Sequence, residues 1–502
     1  MLLRYTVNLR GIQKILLPVA NTVEEYLMNR LFRRLLPVAF FLLLGFVTFA
    51  HAQASPEGAA QDESPLRLTP NLAAQMAIRN NLNLEMARVN LDMQRRAANL
   101  VWNRFVPTVG VRGTMARTNW PAPAIPPALL PPGMPPGAIP DAPAWSLLAA
   151  LTADLTLSMA LIGGVELVRN EYLAGLITFE RASLQMEQGI RQMYNNILLM
   201  QANVALLRES YLNTQRQADM AEASFLAGLV PRLMWLQAQV AVENMRPALR
   251  DLEDGMRVLK GNFALLLGLP HDIPLELEPV SFETSVIPWD MSEMISRATA
   301  SKPEILELRA NIITMQSQRR AVSLQHRTPF INFNWSLQSA FAADPMNESW
   351  FDRGNWTTEG QAGGVFAITL GMSFNGLLPF TTEGQQIRNI DSGLQIQNIN
   401  LAQTIRQTEL EIFNIVNSLE RIRVNMEVQQ ATVYLAEESF RLTEEAFRAG
   451  LQDFQAVQNA SLALDQARLR VITEQFNYLN YLITLEYSLG IPFGTLSGNG
   501  SM

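Results

Sequence analysis

Along the chain, apolar positions switch between a helical period and strict alternation, and they do so twice in the same order. A helical period follows Thr69-Pro70, a polar cap candidate ahead of a proline, and runs to about Arg104; a second follows Ser292 and runs to about Arg327. Pro107 and Pro329 end both runs, because proline cannot continue the helical hydrogen-bond ladder. Alternation then takes over, predicting strands over about 107–119, 147–161, 329–341 and 364–375. One face of each is small and polar: Thr108, Arg112 and Thr114; Thr152, Asp154, Thr156 and Ser158; Asn332, Asn334, Ser336 and Gln338; Thr369 and Ser373. The other carries Val109, Val111 and Met115, then Leu151, Leu155 and Leu157, then Ile331, Phe333, Trp335 and Leu337, then Phe366, Ile368, Leu370 and Met372. Large uncharged side chains opposite small hydroxyls and amides suit a wall with lipid on one side and water on the other. On such a face a lone Asp154 or Arg112 reads more simply as a solvated charge than as a selectivity residue.

Four strands cannot close a membrane barrel, which needs about eight or more, and an open edge in lipid leaves backbone groups unpaired. Strands of this kind must therefore pair with copies of the chain: two copies give about eight, three about twelve.

After each strand pair the helical period returns and persists. No proline occurs from Gly164 to Ala227, enough chain for roughly 95 Å of helix at ~1.5 Å per residue. An apolar seam runs through Met193, Ile197, Met200, Val204, Leu207, Tyr211, Ala218, Ala221 and Phe225, and through Ile412, Ile415, Leu419, Ile422, Met426, Val433, Ala436, Phe440 and Phe447. Sustained 3–4 spacing predicts coiled-coil packing. Each run breaks at Ala-Gly-Leu, at Gly228-Leu229 and Gly450-Leu451, with glycine as the helix terminator. A second helix then returns, giving helical hairpins over 165–268 and 385–490, with Pro247 expected to kink the first return.

The order repeats because the chain is a duplication. Phe225-Leu-Ala-Gly-Leu229 recurs as Phe447-Arg-Ala-Gly-Leu451, and Leu267-Gly-Leu-Pro270 as Leu489-Gly-Ile-Pro492; both pairs lie 222 residues apart, as do Pro107 and Pro329. The expected organisation is a first repeat over 66–270, a Pro-rich linker over 271–288, a second repeat over 289–492 and a short tail over 493–502.

Composition narrows the setting. The 502 residues include no cysteine and three histidines, His51, His271 and His326. That excludes a disulfide scaffold, a cysteine nucleophile, the usual structural zinc site and a lipid-modified N-terminal cysteine. A net charge of −7 argues against a sequence-independent nucleic-acid binder. The run Leu35 to Ala50, after Arg30, Arg33 and Arg34 and before Ala50-His51-Ala52, reads as a secretory signal peptide cut after Ala52. It is short for a membrane span of about 20 residues. Met28 is the alternative start, since Glu24 and Glu25 are out of place in a signal n-region. Residues 53–502 carry 33 basic and 44 acidic side chains, net −11, which fits export to a periplasm or outer membrane. Residues 121–143 hold ten of the 27 prolines and predict an irregular loop. A second loop, 342–364, carries Trp350, Phe351 and Trp356, while Trp120, Trp145 and Phe341 mark strand ends where interfacial aromatics are expected.

The duplicated order, the opening Leu68-Thr69 with Asn80-Asn81, the Pro107 and Pro329 junctions, the stretch Ala227 to Gln239 and the Gly450-Leu451 break with Gln458-Asn459-Ala460 resemble the TolC-like outer-membrane efflux proteins. The resemblance spans Leu68 to Pro492. It implies a mainly α fold with a β-barrel portion: a homotrimer whose twelve strands form one barrel in outer-membrane lipid, continued by a periplasmic α-helical barrel. It further implies docking to a periplasmic adaptor protein that couples to an inner-membrane efflux pump or an ABC transporter of type I secretion. By position, Gly228, Leu229, Arg232, Gly450, Leu451 and Asp453 would form the docking and opening region. The family often has an acid six residues after the tip glycine; here those positions are Met234 and Ala456.

The function this implies is a passive exit duct. No phosphate-binding loop is present to supply energy, and no carboxylate or histidine constellation suggests an enzyme, a cofactor or a metal. The alternative is a periplasmic coiled-coil spacer, which explains the heptads and the export but not four alternating strands of lipid-spanning length.

Overall fold

The computed structural model describes residues 65–117, 145–280, 290–341, 362–449 and 451–496. The signal segment, the Pro-rich loop 121–143, Trp120, Trp350, Phe351, Trp356, Gly450 and the tail from 497 lie outside them. The chain divides into Met1–Asp62 and Glu63–Met502, and all described residues lie in the second unit.

Chain order is β1 (Leu66–Leu68), α1 (Pro70–Asn80), α2 (Leu82–Leu100), β2 (Thr108–Arg117), β3 (Trp145–Ser158), α3 (Met159–Leu226), α4 (Arg232–Leu266), β4 (Leu275–Leu277), α5 (Met291–Ser301), α6 (Pro303–Arg327), β5 (Phe330–Phe341), β6 (Ala362–Gly371), α7 (Thr382–Arg448) and α8 (Phe454–Leu489). Short 3-10 turns, Val101–Phe105 and Asn375–Leu377, precede β2 and follow β6. The order from α1 to α4 recurs from α5 to α8.

Two helices dominate. At ~1.5 Å per residue, the 68 residues of α3 and the 67 of α7 each extend for about 100 Å. Next to the sheet α3 packs against α2 and α6; farther away it packs against α4 and α8, while α7 packs against α6 and α8. The heptad seam is the buried side: Ile412, Ile415, Leu419, Ile422 and Met426 on α7 meet Tyr478, Leu482 and Leu485 on α8. Each such side chain stabilises by about 1.5–3 kcal/mol on burial. Nearer the hairpin ends, Ala218 and Ala221 of α3 meet Ala238, Ala241 and Val242 of α4 and Phe454 of α8. Alanine at these positions lets the helices approach closely.

Midway along α3, β1 and β4 form a two-stranded parallel sheet, with Leu66 opposite Leu275 and Leu68 opposite Leu277. Tyr194 of α3, with no solvent exposure, sets its hydroxyl between Leu68 O (2.7 Å) and Glu278 O (2.8 Å) and packs edge-on against Phe263. Burial pushes its pKa up to about 12. The segment expected as a linker thus contains a strand, and the N-terminal end of the described chain is held to the middle of the helical body.

Several boundaries differ from the sequence reading. The first helical run is two helices, because Asn81 has an extended backbone and caps α2 through its side chain, accepting from Asn83 N–H at 2.9 Å. The second run divides at Lys302-Pro303 for the same reason that proline disfavours a helical residue before it. Asp290, not Ser292, occupies the cap position of α5; the Ser292 hydroxyl donates to the Asp290 carboxylate. Helix α3 begins at Met159, inside the segment expected as strand to 161. It starts early because Gly163 permits close packing on α6: a Cβ there would lie 2.9 Å from Ala321 Cα. The hairpin limit expected at 385 also moves, to Thr382, where Thr381 caps α7 by accepting from Gly384 N–H at 3.2 Å. Strand β3 starts at Trp145 and β6 at Ala362, each two residues before expectation, and β6 ends at Gly371 rather than 375. Pro247 sits inside α4, which runs through it without interruption. Among the described residues no helix is long and apolar enough to cross a membrane.

Candidate channel wall and hairpin tips

The four long strands form one antiparallel sheet of order β2-β3-β5-β6. Directly opposed residues in an antiparallel pair share a face, so the register assigns every side chain. Thr108, Asp154 and Asn334 form one cross-strand row with Ala367; Thr152 and Ser336 lie in the next, with Gly110 and Val365; Arg112 and Gln338 follow, with Ala150 and Gly363. Thr114 lies beyond, opposite Leu148. Toward the helices come the rows Thr156, Asn332 and Thr369, then Ser158, Phe330 and Gly371. The sheet therefore brings twelve of the thirteen expected polar residues to one face. Ser373 is the exception, because β6 ends two residues earlier. Side-chain bonds knit this face: Asn332 Nδ2 donates to Thr156 Oγ1 at 2.8 Å, Asn334 Nδ2 to the Asp154 carboxylate, and Thr108 Oγ1 to Asp154 O at 3.2 Å. Asp154 is thus an acceptor within a hydroxyl and amide cluster rather than an isolated charge. The polar character weakens away from the helices, where Leu148, Ala150 and Val365 interrupt it.

The opposite face rows are Val109, Ala153, Trp335 and Phe366; Val111, Leu151, Leu337 and Gly364; Leu155, Phe333 and Ile368; and Leu157, Ile331 and Leu370. Val111 is 83% exposed and Leu370 72%, so nothing among the described residues covers this face at those positions. At its far end Arg117 lies over the Trp145 ring, 5.5 Å from its centroid.

The other functional candidate is the pair of hairpin ends. Helix α3 terminates in a left-handed Gly228 (φ +75°), with Leu229 N–H donating to Ser224 O and Gly228 N–H to Phe225 O, both at 2.9 Å. Those bonds satisfy carbonyls that the helix end would otherwise strand. At the second end Leu451 N–H donates to Ala446 O at 2.8 Å. Asp453 caps α8, accepting from Ala456 N–H at 2.8 Å. Its carboxylate is engaged by the backbone, so it does not stand free as a substitute for the missing acid. Arg232 opens α4 and is exposed, and Leu229 and Leu451 are 77% and 78% exposed. Phe225 stacks on Trp235 at 5.4 Å, and Phe447 meets Phe454 edge-on. Between the two ends lies a cleft of about 920 Å³ lined by Met220, Leu229, Met234, Phe447, Leu451 and Asp453. Met234 therefore faces a cleft of mixed character, which Glu444, Arg448 and Asp453 also line.

Polar links between the two hairpins escaped the sequence reading. Arg468 of α8 donates to Glu437 of α7 at 2.8 Å and lies 3.8 Å from Glu209 of α3. Nearby, burial pushes the Asp465 carboxyl up against the opposing hydrogen bond from Ser210. Farther along, Asn195 of α3 donates to Asn480 of α8 at 3.0 Å, and Gln192 to Thr484 at 3.1 Å. The available signal was polar residues adjoining the apolar seam, at Asn195 beside Ile197, but their partners lie some 285 residues away. No group among the described residues could hold a metal ion.

The family described as outer membrane efflux protein matches residues 73–268, from α1 through α4. The likeness to that family covers 196 of the 502 residues. The family is one of outer-membrane channels, not enzymes. Solved structures extend the TolC-like fold over most of the chain. The Campylobacter jejuni CmeC outer membrane channel is 13% identical, with 91% of this chain and 95% of that one covered and a TM-score of 0.68. The outer membrane protein VceC of Vibrio cholerae is 15% identical over 84% and 96%, at 0.65. The open state of the Neisseria gonorrhoeae MtrE outer membrane channel is 14% identical over 84% and 89%, also at 0.65. At such identities the likeness is one of fold: a mainly helical chain with a β-sheet portion, as in those outer-membrane proteins. No curated protein matches the sequence.

Proposed function

We propose that this chain is one third of an outer-membrane exit duct. Three copies would pair β6 of one with β2 of the next, closing twelve strands into a barrel and the long helices into a periplasmic tube. One observation carries the reading. Among the described residues, an uncovered apolar sheet face and two unpaired sheet edges sit at the end of helices about 100 Å long. The ten residues of β2 extend about 33 Å, which at a usual tilt of ~40° gives the ~25 Å apolar height of outer-membrane barrels. The polar rows from Thr108 to Thr369 would line the water-filled lumen.

In this reading the chain is exported with its signal peptide removed after Ala52. The hairpin ends, with Gly228, Leu229, Arg232, Gly450, Leu451 and Asp453, would dock a periplasmic adaptor. The adaptor would couple the duct to an inner-membrane efflux pump or an ABC transporter of type I secretion, and that partner would supply the energy. The two repeats over 66–270 and 289–492 would place two hairpins per copy at the adaptor end.

The test is fractionation followed by planar-bilayer recording. The expected result is a heat-modifiable oligomer in the outer-membrane fraction that forms discrete conducting pores, with conductance raised by helix-loosening substitutions at Gly228. A soluble periplasmic rod, or an inserted oligomer that never conducts even with Gly228 substituted, would refute the duct.

A further inference from the structure

The rim where the sheet meets the helices is both aromatic and cationic, and the duct reading leaves it without a role. The 3-10 turn before β2 exposes Trp102 (58%) and Phe105, and the segment after β6 exposes Phe374 (66%), Leu377 and Phe380 (77%). These residues lie next to the strand ends on the helical side of the sheet. The ten residues next to each of the four strand ends on this side carry three arginines, Arg104, Arg320 and Arg327, and one carboxylate, Glu166. Arg320 takes both oxygens of Glu166 at 2.8 Å. Arg327 donates only to a backbone carbonyl, Gly376 O, at 3.1 Å, and Arg104 is exposed with no carboxylate partner among the described residues. A chain of net charge −7 thus places two uncompensated cations per copy where its apolar band ends.

We propose that this rim binds the headgroups of anionic phospholipids in the bilayer leaflet nearer the helices. The proposal rests on the membrane reading above. Aromatic rings settle at the boundary between hydrocarbon and headgroups, and an arginine beside them extends its charge into the headgroup layer. Charge complementarity selects the anionic lipid: one arginine near an anionic surface favours it by roughly fivefold.

The full chain is reconstituted into vesicles containing trace chain-brominated phosphatidylglycerol or chain-brominated phosphatidylcholine, which quench nearby tryptophan. The Trp102 signal is taken as the difference from a Trp102→Phe variant. The expected result is severalfold stronger relative association of phosphatidylglycerol at low salt. That preference should fall about fivefold in Arg104→Gln, persist in Arg104→Lys, and shrink in ~1 M salt as the screening length drops to about 3 Å. Equal quenching by the two lipids in inserted wild type overturns the proposal. So does a preference that Arg104→Gln leaves intact while dissociating the oligomer, since a neighbouring copy would then occupy the rim. A chain that fails to insert in either vesicle refutes the membrane reading, and the rim proposal with it.

Discussion

The Tyr194 hydroxyl is a specific place to test how the first strand is held. It is buried without exposure and serves two carbonyls, Leu68 O at 2.7 Å and Glu278 O at 2.8 Å, with one proton to donate. Tyr194→Phe removes the donor and keeps the ring against Phe263. Leu68 O still receives Glu278 N–H at 3.0 Å, so the carbonyl left short is Glu278 O. Leaving one buried acceptor unsatisfied costs about 1–2 kcal/mol, a roughly 5- to 30-fold rise in local opening. Hydrogen exchange resolved by peptide should show that loss of protection in β1 and β4, with the α7–α8 seam unchanged. Tyr434→Phe, at a position 70% exposed, should change nothing. Unaltered exchange in β1 and β4, or a uniform change across the body, would refute the pinning role.

Three further outcomes follow from the packing. Gly163→Ala should lower the melting temperature, because the new Cβ lies 2.9 Å from Ala321 Cα and overpacking costs about 1–3 kcal/mol; Gly189→Ala in the same helix meets nothing within 4 Å and should raise it, through a gain in stability of about 1 kcal/mol or less. Asp453→Ala should cost the α8 cap about 1 kcal/mol and speed amide exchange at Ala456, whereas Asp453→Asn should keep most of the protection. Glu486, almost wholly buried, accepts from Gly494 N–H at 2.9 Å and Leu496 N–H at 2.7 Å, and burial raises its pKa. A raised carboxyl pKa gives stability that is full below the ordinary value of 4.5 and lost as pH rises through the folded value. Protection at Gly494 and Leu496, corrected for intrinsic exchange, should therefore fall as pH rises above 4.5, and Glu486→Gln should flatten that dependence.

What the sequence made legible was periodic. Alternation located four strands because each has one polar and one apolar face, and it assigned Thr108, Asp154 and Asn334 to the polar side without knowing that they share a row. Heptads located the seam, as Ile412 through Met426 demonstrate. Boundaries were less legible, since Met159 and Thr382 start helices for reasons of close packing and capping that no periodicity carries. The pairing of Leu66–Leu68 with Leu275–Leu277 was invisible: three-residue strands have no pattern, and the contact spans 209 residues at Arg67 and Glu276. At the hairpin ends, Asp453 was read as part of the docking region, and its second role as the α8 cap, accepting from Ala456 N–H, was missed.

The join between β3 and β5 has a consequence for how the chain matures. It pairs Ser158 with Phe330, and the entire first hairpin lies between them. Until α3, α4, α5 and α6 have been synthesised, β2 and β3 are half a sheet with an apolar face and no partner. Contacts so far apart in sequence are slow to form, and an unpaired strand edge is open to association with other chains. The first half-sheet must therefore persist while the 171 residues between Ser158 and Phe330 are made, before its neighbour arrives. Its folding depends on the time spent waiting, so the rate of synthesis and the protection of that open edge become determinants of yield.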